Sequence, residues 1–134
     1  MPGARSEITE HSFHLGSNAD GSGTRFRVGH ARHVVVTISS DNLANLTVKC
    51  QGSAKWTAPD FSAARSFSNE WEYIGMFDYQ DAEIISGDTG IVFGGADDVR
   101  ILMPNFDGME WLNFEISGYV AGNLYVSGRL YNNE

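Results

Sequence analysis

Most of the chain from about residue 33 onward consists of short segments in which apolar and polar residues alternate with a period near two. Each segment is rich in β-branched and aromatic residues and is bounded by Gly, Asn, Asp or Pro, which is the pattern of half-buried strands between turns. The clearest segments are residues 33–39, 46–50, 70–77, 99–103, 110–117 and 123–131. Their spacing of roughly eight to twelve residues predicts an all-β fold, an antiparallel β-sandwich or jelly roll of about eight to ten short strands.

The chain divides into an N-terminal arm and a body. Residues 1–23 are polar and end in a Gly/Ser-rich stretch, which predicts a flexible arm before a β-sandwich domain spanning residues 24–134. Within the arm, residues 10–15 alternate enough to form a strand with Phe13 and Leu15 on one face. Such a strand can add either to its own sheet or to the sheet of another molecule.

Local signals also assign parts of the body. A turn is expected at residues 40–42, and the last two strands are expected to form a hairpin with bends at Gly118 and Gly122. The single cysteine, Cys50, shares a face with apolar neighbours, so we expect it to fill the core rather than to react. Three alternating residues of the penultimate strand are expected to face the core: Leu112, Phe114 and Ile116.

The net charge of −8 is distributed unevenly along the chain. Residues 1–59 hold six Lys and Arg against four Asp and Glu, whereas residues 60–134 hold three against thirteen. A strongly acidic body repels phosphates, so neither nucleic acid nor an anionic membrane surface is expected as a partner. The basic segment 25–32 has the charge to meet the acidic surface of a neighbouring copy.

The sequence carries no credible catalytic constellation. It has no nucleophile elbow, phosphate-binding glycine loop or Cys-x-x-Cys pair. The pairs His11/His14 and His30/His33 are spaced to fall on opposite faces of a strand, and the carboxylates of residues 78–83 lack a calcium-loop pattern. We therefore expect no enzyme activity, no metal and no cofactor. No apolar run is long enough for a membrane-spanning helix, and the first ten residues lack a secretory signal, so synthesis in a cytoplasm is expected.

Aromatic residues are the other notable set. Trp56, Tyr125 and Tyr131 are candidates for a flat platform on which a sugar ring stacks. The two tyrosines are six residues apart and would share a strand face, with Ser127 and Arg129 between them. Alternatively, a small sandwich uses such residues to fill its core and cover its edges.

From Val34 to Tyr131 the order of features resembles small β-sandwich proteins of tailed-bacteriophage virions. The shared pattern is an apolar strand, a strand ending in Gln-Gly-Ser, a nearby Trp, a Val-Arg-Ile strand and a closing Ser-Gly hairpin. The matching residues here are 34–38, 46–53, Trp56, 98–102, 118–122 and 124–130. Ala54-Lys55 replaces the usual Asn-Asp-Gly after Gln-Gly-Ser, and the insertion from Pro59 to Asn69 also departs from the pattern.

The resemblance implies a structural role in a virion. The implied protein is a capsid decoration (cement) protein, or a related head or tail accessory protein, made in the host cytoplasm and placed on the capsid surface. Its implied partners are the major capsid protein and further copies of itself, in a homotrimer or another symmetric oligomer. At the interface, Phe13 and Leu15 would supply apolar burial, while Arg25 and Arg27 would supply ionic contacts. The alternative function is a carbohydrate-binding module in a tail or head fibre.

Overall fold

The structure, a computed structural model, describes residues 7–132, and these residues form ten β-strands and no helix. The strands are β1 (Glu7–Ser17), β2 (Gly21–Ser22), β3 (Phe26–Arg27), β4 (His33–Ser53), β5 (Glu72–Ile74), β6 (Met76–Asp78), β7 (Glu83–Ile85), β8 (Ile91–Gly94), β9 (Val99–Pro104) and β10 (Trp111–Asn132). All named strand pairs are antiparallel, so the predicted all-β antiparallel class is confirmed. Within this part of the chain no helix is long and apolar enough to cross a membrane.

Two long strands organise the sheet. β4 and β10 have 21 and 22 residues and pair along their whole length, from Ser53 opposite Trp111 to His33 opposite Tyr131. The start of β4 and the end of β10 carry β1 on one side and β9, β6 and β7 on the other, and we call this group the first half-sheet. The remaining halves of β4 and β10 carry β2 and β3 on one side and β5 and β8 on the other, and we call this group the second half-sheet.

The ribbon of β4 and β10 bends sharply between the half-sheets. In β4, Asn42 and Leu43 have φ angles of 58° and 56°, and in β10, Gly118 and Gly122 have φ angles of 60° and 90°. These values lie in the left-handed region, which glycine and asparagine reach at low energy. At Gly122 the chains also approach closely, since a Cβ there would lie 2.3 Å from the Cα of Ala44.

The bend corrects two sequence predictions. The turn predicted at residues 40–42 lies within β4, which continues through it. The hairpin predicted for the last two strands is wrong, because both halves of β10 pair with β4 and not with each other. The glycines that suggested a hairpin turn supply a bend in a continuous strand instead.

The inner faces of both half-sheets contribute to one apolar core. As predicted, Cys50, Leu112, Phe114 and Ile116 are buried in it. Phe13 of the first half-sheet packs edge-on against Phe114 of the second, with ring centroids 4.9 Å apart. The two half-sheets therefore face each other, but all ten strands belong to one hydrogen-bonded sheet, and a sandwich of two separate sheets is not confirmed.

The strand predicted in the N-terminal arm adds to this chain's own sheet. β1 runs beside β10 from Glu7 opposite Asn132 to Ser17 opposite Leu124. A bulge at Phe13 shifts the alternation by one residue, so that Phe13 and His14 are both buried. The predicted common face of Phe13 and Leu15 is therefore wrong, because Phe13 is 2% exposed and Leu15 is 81% exposed. Residues 1–6 of the predicted arm lie outside the described residues.

Candidate binding surfaces

A compact surface loop, residues 54–70, lies between β4 and β5, and we call it the cover loop. Its ends are held together where the Ser53 hydroxyl donates to the carbonyl of Glu70 over 2.7 Å. Inside the loop, the Asn69 amide donates to the carbonyl of Asp60, and its oxygen accepts from the backbone N–H of Asp60, both at 2.9 Å. These contacts give the loop a defined shape of its own, as in other compact Ω-type loops.

The cover loop lies on the outer face of the second half-sheet and shields polar side chains there. Gln51 and Asn113 are both buried. Gln51 donates to the carbonyl of Phe61 over 3.0 Å and accepts from the Ser22 hydroxyl over 2.9 Å, while Asn113 donates to the carbonyl of Gly23 over 2.8 Å. Since a buried amide without partners is destabilising, the loop and the segment before β3 fix each other's position.

One aromatic residue anchors the cover loop and two are left in solvent. Phe61 is buried against Trp71, whose indole N–H donates to the carbonyl of Ala63 over 3.0 Å. Trp56 and Phe67, in contrast, are 74% and 92% exposed. Exposed aromatic residues on an ordered loop are typical of a binding surface.

A groove of about 810 Å³ opens between the cover loop and the segment that joins β2 to β3. Residues 22–25 form one wall, residues 58–62 form the other, and Trp111 and Asn113 of β10 form the floor. The walls are joined where the Ser22 hydroxyl donates to the carbonyl of Phe61 over 3.0 Å. The groove is therefore a concavity whose shape is fixed by hydrogen bonds.

Two charged groups stand on opposite walls of this groove. The guanidinium carbon of Arg25 lies 5.6 Å from the centroid of the Trp111 ring, and in residues 7–132 Arg25 has no carboxylate within ion-pair distance. Asp60 accepts hydrogen bonds from the hydroxyl of Ser62 at 2.5 Å and from its backbone N–H at 3.0 Å. These hydrogen bonds, with a smaller contribution from the charge of Arg25, lower the pKa of Asp60 and keep it ionised near neutral pH.

Residues that the sequence assigned to different roles meet beside the groove. The guanidinium of Arg27 stacks 3.7 Å from the centroid of the Trp56 ring and forms an ion pair with Glu110. Trp111, which the strand pattern does not assign to core or surface, is half-buried and donates its indole N–H to the carbonyl of Trp56 over 3.1 Å. Arg25, Arg27 and Trp56 thus lie around Trp111, and Arg27 already occupies one face of the Trp56 ring.

Tyr125 and Tyr131 lie elsewhere, on the outer face of the first half-sheet. They share that face with Ser127 and Arg129, as predicted from their spacing. The Tyr125 hydroxyl donates to Asp41 over 3.1 Å, and this hydrogen bond raises the pKa of Tyr125. Because the two tyrosines and the cover loop belong to different half-sheets, they do not form one platform with Trp56.

The outer face of the first half-sheet also carries an apolar patch that sequence reasoning missed. We call it the apolar face, and its residues are Phe77, Tyr79, Ile84, Val99, Ile101 and Met103. Phe77 is paired directly with both Ile84 and Met103, and its ring centroid is 5.3 Å from that of Tyr79, so the patch is contiguous. The available signal was the sequence of β9, in which both faces of the strand carry apolar residues. This pattern is typical of strands that are covered on both sides.

A cluster of charged residues lies behind the apolar face, on the other side of the same strands. Asp78 pairs with Leu102 and Arg100 pairs with Ile38, both residues of the core, so these two side chains lie on the side opposite Phe77 and Ile101. Asp78 is buried and forms an ion pair with Arg100, whose guanidinium also lies 3.2 Å from Asp81 and 3.9 Å from Asp98. One arginine therefore faces three carboxylates there.

The histidines of β1 have structural contacts. His14 is buried, donates from Nε2 to the carbonyl of Phe114 over 2.7 Å and accepts at Nδ1 from the Ser17 hydroxyl over 2.8 Å. Burial lowers the pKa of His14, which favours the neutral ring. His11 stacks on Phe26 with centroids 4.3 Å apart. Within residues 7–132, no three His, Cys, Asp or Glu side chains are grouped to hold a metal ion.

Comparison with known proteins shows similarity in fold alone. No family model and no curated protein sequence matches the chain. The crystal structure of the SPBc2 prophage-derived protein YomS matches with a TM-score of 0.72 and 16% identity, over 98% of both chains. The PBSX exported protein XepA matches with a TM-score of 0.66 and 20% identity, over 94% of this chain but 38% of XepA. The same fold therefore occurs both as nearly a whole chain and as one part of a longer protein.

Proposed function

We propose that this protein is a structural, non-enzymatic component of a bacteriophage particle, and specifically a capsid decoration protein that binds the major capsid protein. The observation that carries the proposal is the likeness to the prophage-derived YomS over 98% of both chains. The virion-protein resemblance of residues 34–131 points in the same direction from the sequence.

The apolar face is the surface that we assign to the capsid contact. Isolated exposed apolar residues are normal on a soluble protein, whereas a contiguous patch across three strands marks an interaction site. On this face Ile84 is 74% exposed and Val99 is 60% exposed. Burying one such side chain contributes roughly 1.5–3 kcal/mol to the free energy of binding. Several of them together can offset the entropy that is lost when a protein partner docks and side chains become ordered.

We expect the occupant of the apolar face to be a capsid subunit and not a second copy of this chain. The chain carries a net charge of −8, so two copies repel each other, whereas a partner with basic residues around its own apolar contact area is attracted. A symmetric oligomer, such as the expected homotrimer, would then use other surfaces.

Of the interface residues expected from the sequence, three remain accessible in part. Leu15 is exposed on the edge strand β1, Arg25 is exposed, and Arg27 is half-buried with its charge already paired to Glu110. Phe13 fills this chain's own core, so a partner reaches it only if β1 leaves the sheet. The apolar face therefore has more exposed large apolar side chains than the described part of the predicted arm, residues 7–23.

The test uses purified capsids of the phage that encodes the protein, prepared without it, and measures co-sedimentation of the purified protein. Wild type is expected to sediment with the capsids. Ile84→Lys and Val99→Lys are each expected to weaken binding by about tenfold or more, because each puts a charge in place of buried apolar area. The matched control is Val92→Lys, since Val92 is 66% exposed on the second half-sheet, away from the apolar face.

Each result is decisive. Wild-type protein that stays in the supernatant contradicts the capsid role, and binding to purified tails instead would move the protein to that part of the particle. Undiminished binding of both face variants would contradict the assignment of the apolar face while leaving the capsid role in place.

A further inference from the structure

The groove beside the cover loop has the size and rigidity of a small-molecule site. Its volume of about 810 Å³ lies within the range usual for ligand clefts, roughly 300–1,000 Å³. Both walls are fixed by the hydrogen bonds of Ser22, Gln51 and Phe61 described above. A ligand would therefore meet a preformed concavity, with little ordering cost for the protein.

The floor of the groove supplies an aromatic surface. Trp111 is half-buried, and the hydrogen bond from its indole N–H to the carbonyl of Trp56 fixes the orientation of its ring. An indole offers a rigid apolar surface against which the C–H groups of a sugar ring can pack. The guanidinium carbons of Arg25 and Arg27 each lie 5.6 Å from the centroid of that ring, so hydrogen-bond donors adjoin the same surface.

The walls supply one donor group and one acceptor group. Arg25 presents N–H donors from one wall, and the carboxylate of Asp60, oriented by Ser62, presents acceptors from the other. Each sugar hydroxyl both donates and accepts, so a guanidinium and a carboxylate on opposite walls suit neighbouring hydroxyls of one ligand.

The charge balance selects the ligand class. One arginine and one aspartate leave the groove close to neutral, and the chain as a whole carries a net charge of −8. A phosphate or a polyanion would be repelled by Asp60, whereas an uncharged polyhydroxylated ligand meets no such penalty. We propose that the groove between residues 22–25 and 58–62 binds a neutral oligosaccharide, with one sugar ring on Trp111 and its hydroxyls on Arg25 and Asp60.

This site goes beyond the proposed capsid contact and lies on the other half-sheet. It also replaces the sugar platform expected from Trp56, Tyr125 and Tyr131, since the structure separates those residues. The two proposals can therefore fail independently.

The experiment titrates the purified full chain with neutral tetrasaccharides of glucose, N-acetylglucosamine, galactose and mannose, and with tetragalacturonate as the acidic comparator. Calorimetry measures affinity, and the NMR resonance of the Trp111 indole N–H reports the site. At least one neutral tetrasaccharide is expected to bind and to shift that resonance. Arg25→Ala and Asp60→Asn, both at exposed positions, are each expected to weaken binding about tenfold or more.

The matched control is Arg129→Ala, an exposed arginine on the first half-sheet, which is expected to bind as wild type does. Absence of binding to every neutral tetrasaccharide would overturn the proposal. So would binding that Arg25→Ala and Asp60→Asn leave unchanged, or a preference for tetragalacturonate that Asp60→Asn strengthens. Capsid co-sedimentation of the same variants is expected to stay at the wild-type level, which separates this test from that of the particle role.

Discussion

The two half-sheets have similar inner faces and very different outer faces. Inside, both place alternating apolar residues in one core. Outside, the first half-sheet leaves the apolar face bare, whereas the second buries the amides of Gln51 and Asn113 under the cover loop. The inner faces therefore explain why the chain folds, and the outer faces carry the two surfaces for which we propose a protein partner and a small ligand.

The largest expected effect tests whether the half-sheets share one core. Phe114 is fully buried on the second half-sheet and contacts Phe13 of the first, so Phe114→Ala is expected to lower the free energy of unfolding by about 3–5 kcal/mol. Urea denaturation followed by circular dichroism measures this. Phe67→Ala is the control, because Phe67 is 92% exposed and its loss should change stability by no more than about 0.5 kcal/mol. Two separate unfolding transitions in the Phe114 variant would show that the half-sheets are independent.

A smaller effect is expected at the bend that lets the half-sheets face each other. Gly122→Ala adds a Cβ at a φ of 90° and 2.3 Å from the Cα of Ala44, so we expect a loss of roughly 2–4 kcal/mol in unfolding free energy. Gly118→Ala is the matched comparison, because its φ is 60° but no atom lies within 4 Å of the added Cβ. Its expected loss is about 1–2 kcal/mol, from backbone strain alone. Equal thermal shifts for the two variants would mean that the close approach to Ala44 does not limit the bend.

The smallest effect concerns the cover loop, which distinguishes the second half-sheet from the first. Asn69→Ala removes side-chain hydrogen bonds to the backbone of Asp60, each worth about 1 kcal/mol, and is expected to loosen the loop without unfolding the sheet. Hydrogen exchange at the Asp60 amide should quicken, while amides of β4 and β10 keep their protection. Ser68→Ala is the control, since the Ser68 side chain contacts only Ser66 among the hydrogen bonds of the described residues. Faster exchange throughout β4 would show that the loop is part of the cooperative core.

Much of the inner face could be predicted from the sequence, because it depends on local alternation. The burial of Cys50, Leu112, Phe114 and Ile116 follows from a period of two within single strands. Strand pairing does not follow from local signals, because a hairpin turn and a bend within a continuous strand both require glycines such as Gly122 in a similar sequence context. The strand at residues 10–15 was predictable, but the bulge at Phe13 was not, because it depends on the partner strand.

For the candidate sites, the sequence indicated single residues but not which of them lie together in the folded chain. Trp56, Arg25 and Arg27 were identified singly, and their contacts with Trp111 join positions as far apart in the chain as residues 25 and 111. The apolar face escaped prediction for a related reason. An apolar residue such as Ile101 gives the same sequence signal whether a neighbouring layer covers it or not, and only the assembled sheet shows which faces stay open.

The pairing of Glu7 with Asn132 has a consequence for how such a fold is used in longer polypeptides. Entry and exit points of the described chain lie side by side on one edge of the first half-sheet, so extra sequence can be joined at either end without threading through the body. A fold with adjacent ends can be one of several domains in a row or can be inserted into another domain, and the groove lies on the other half-sheet from those ends.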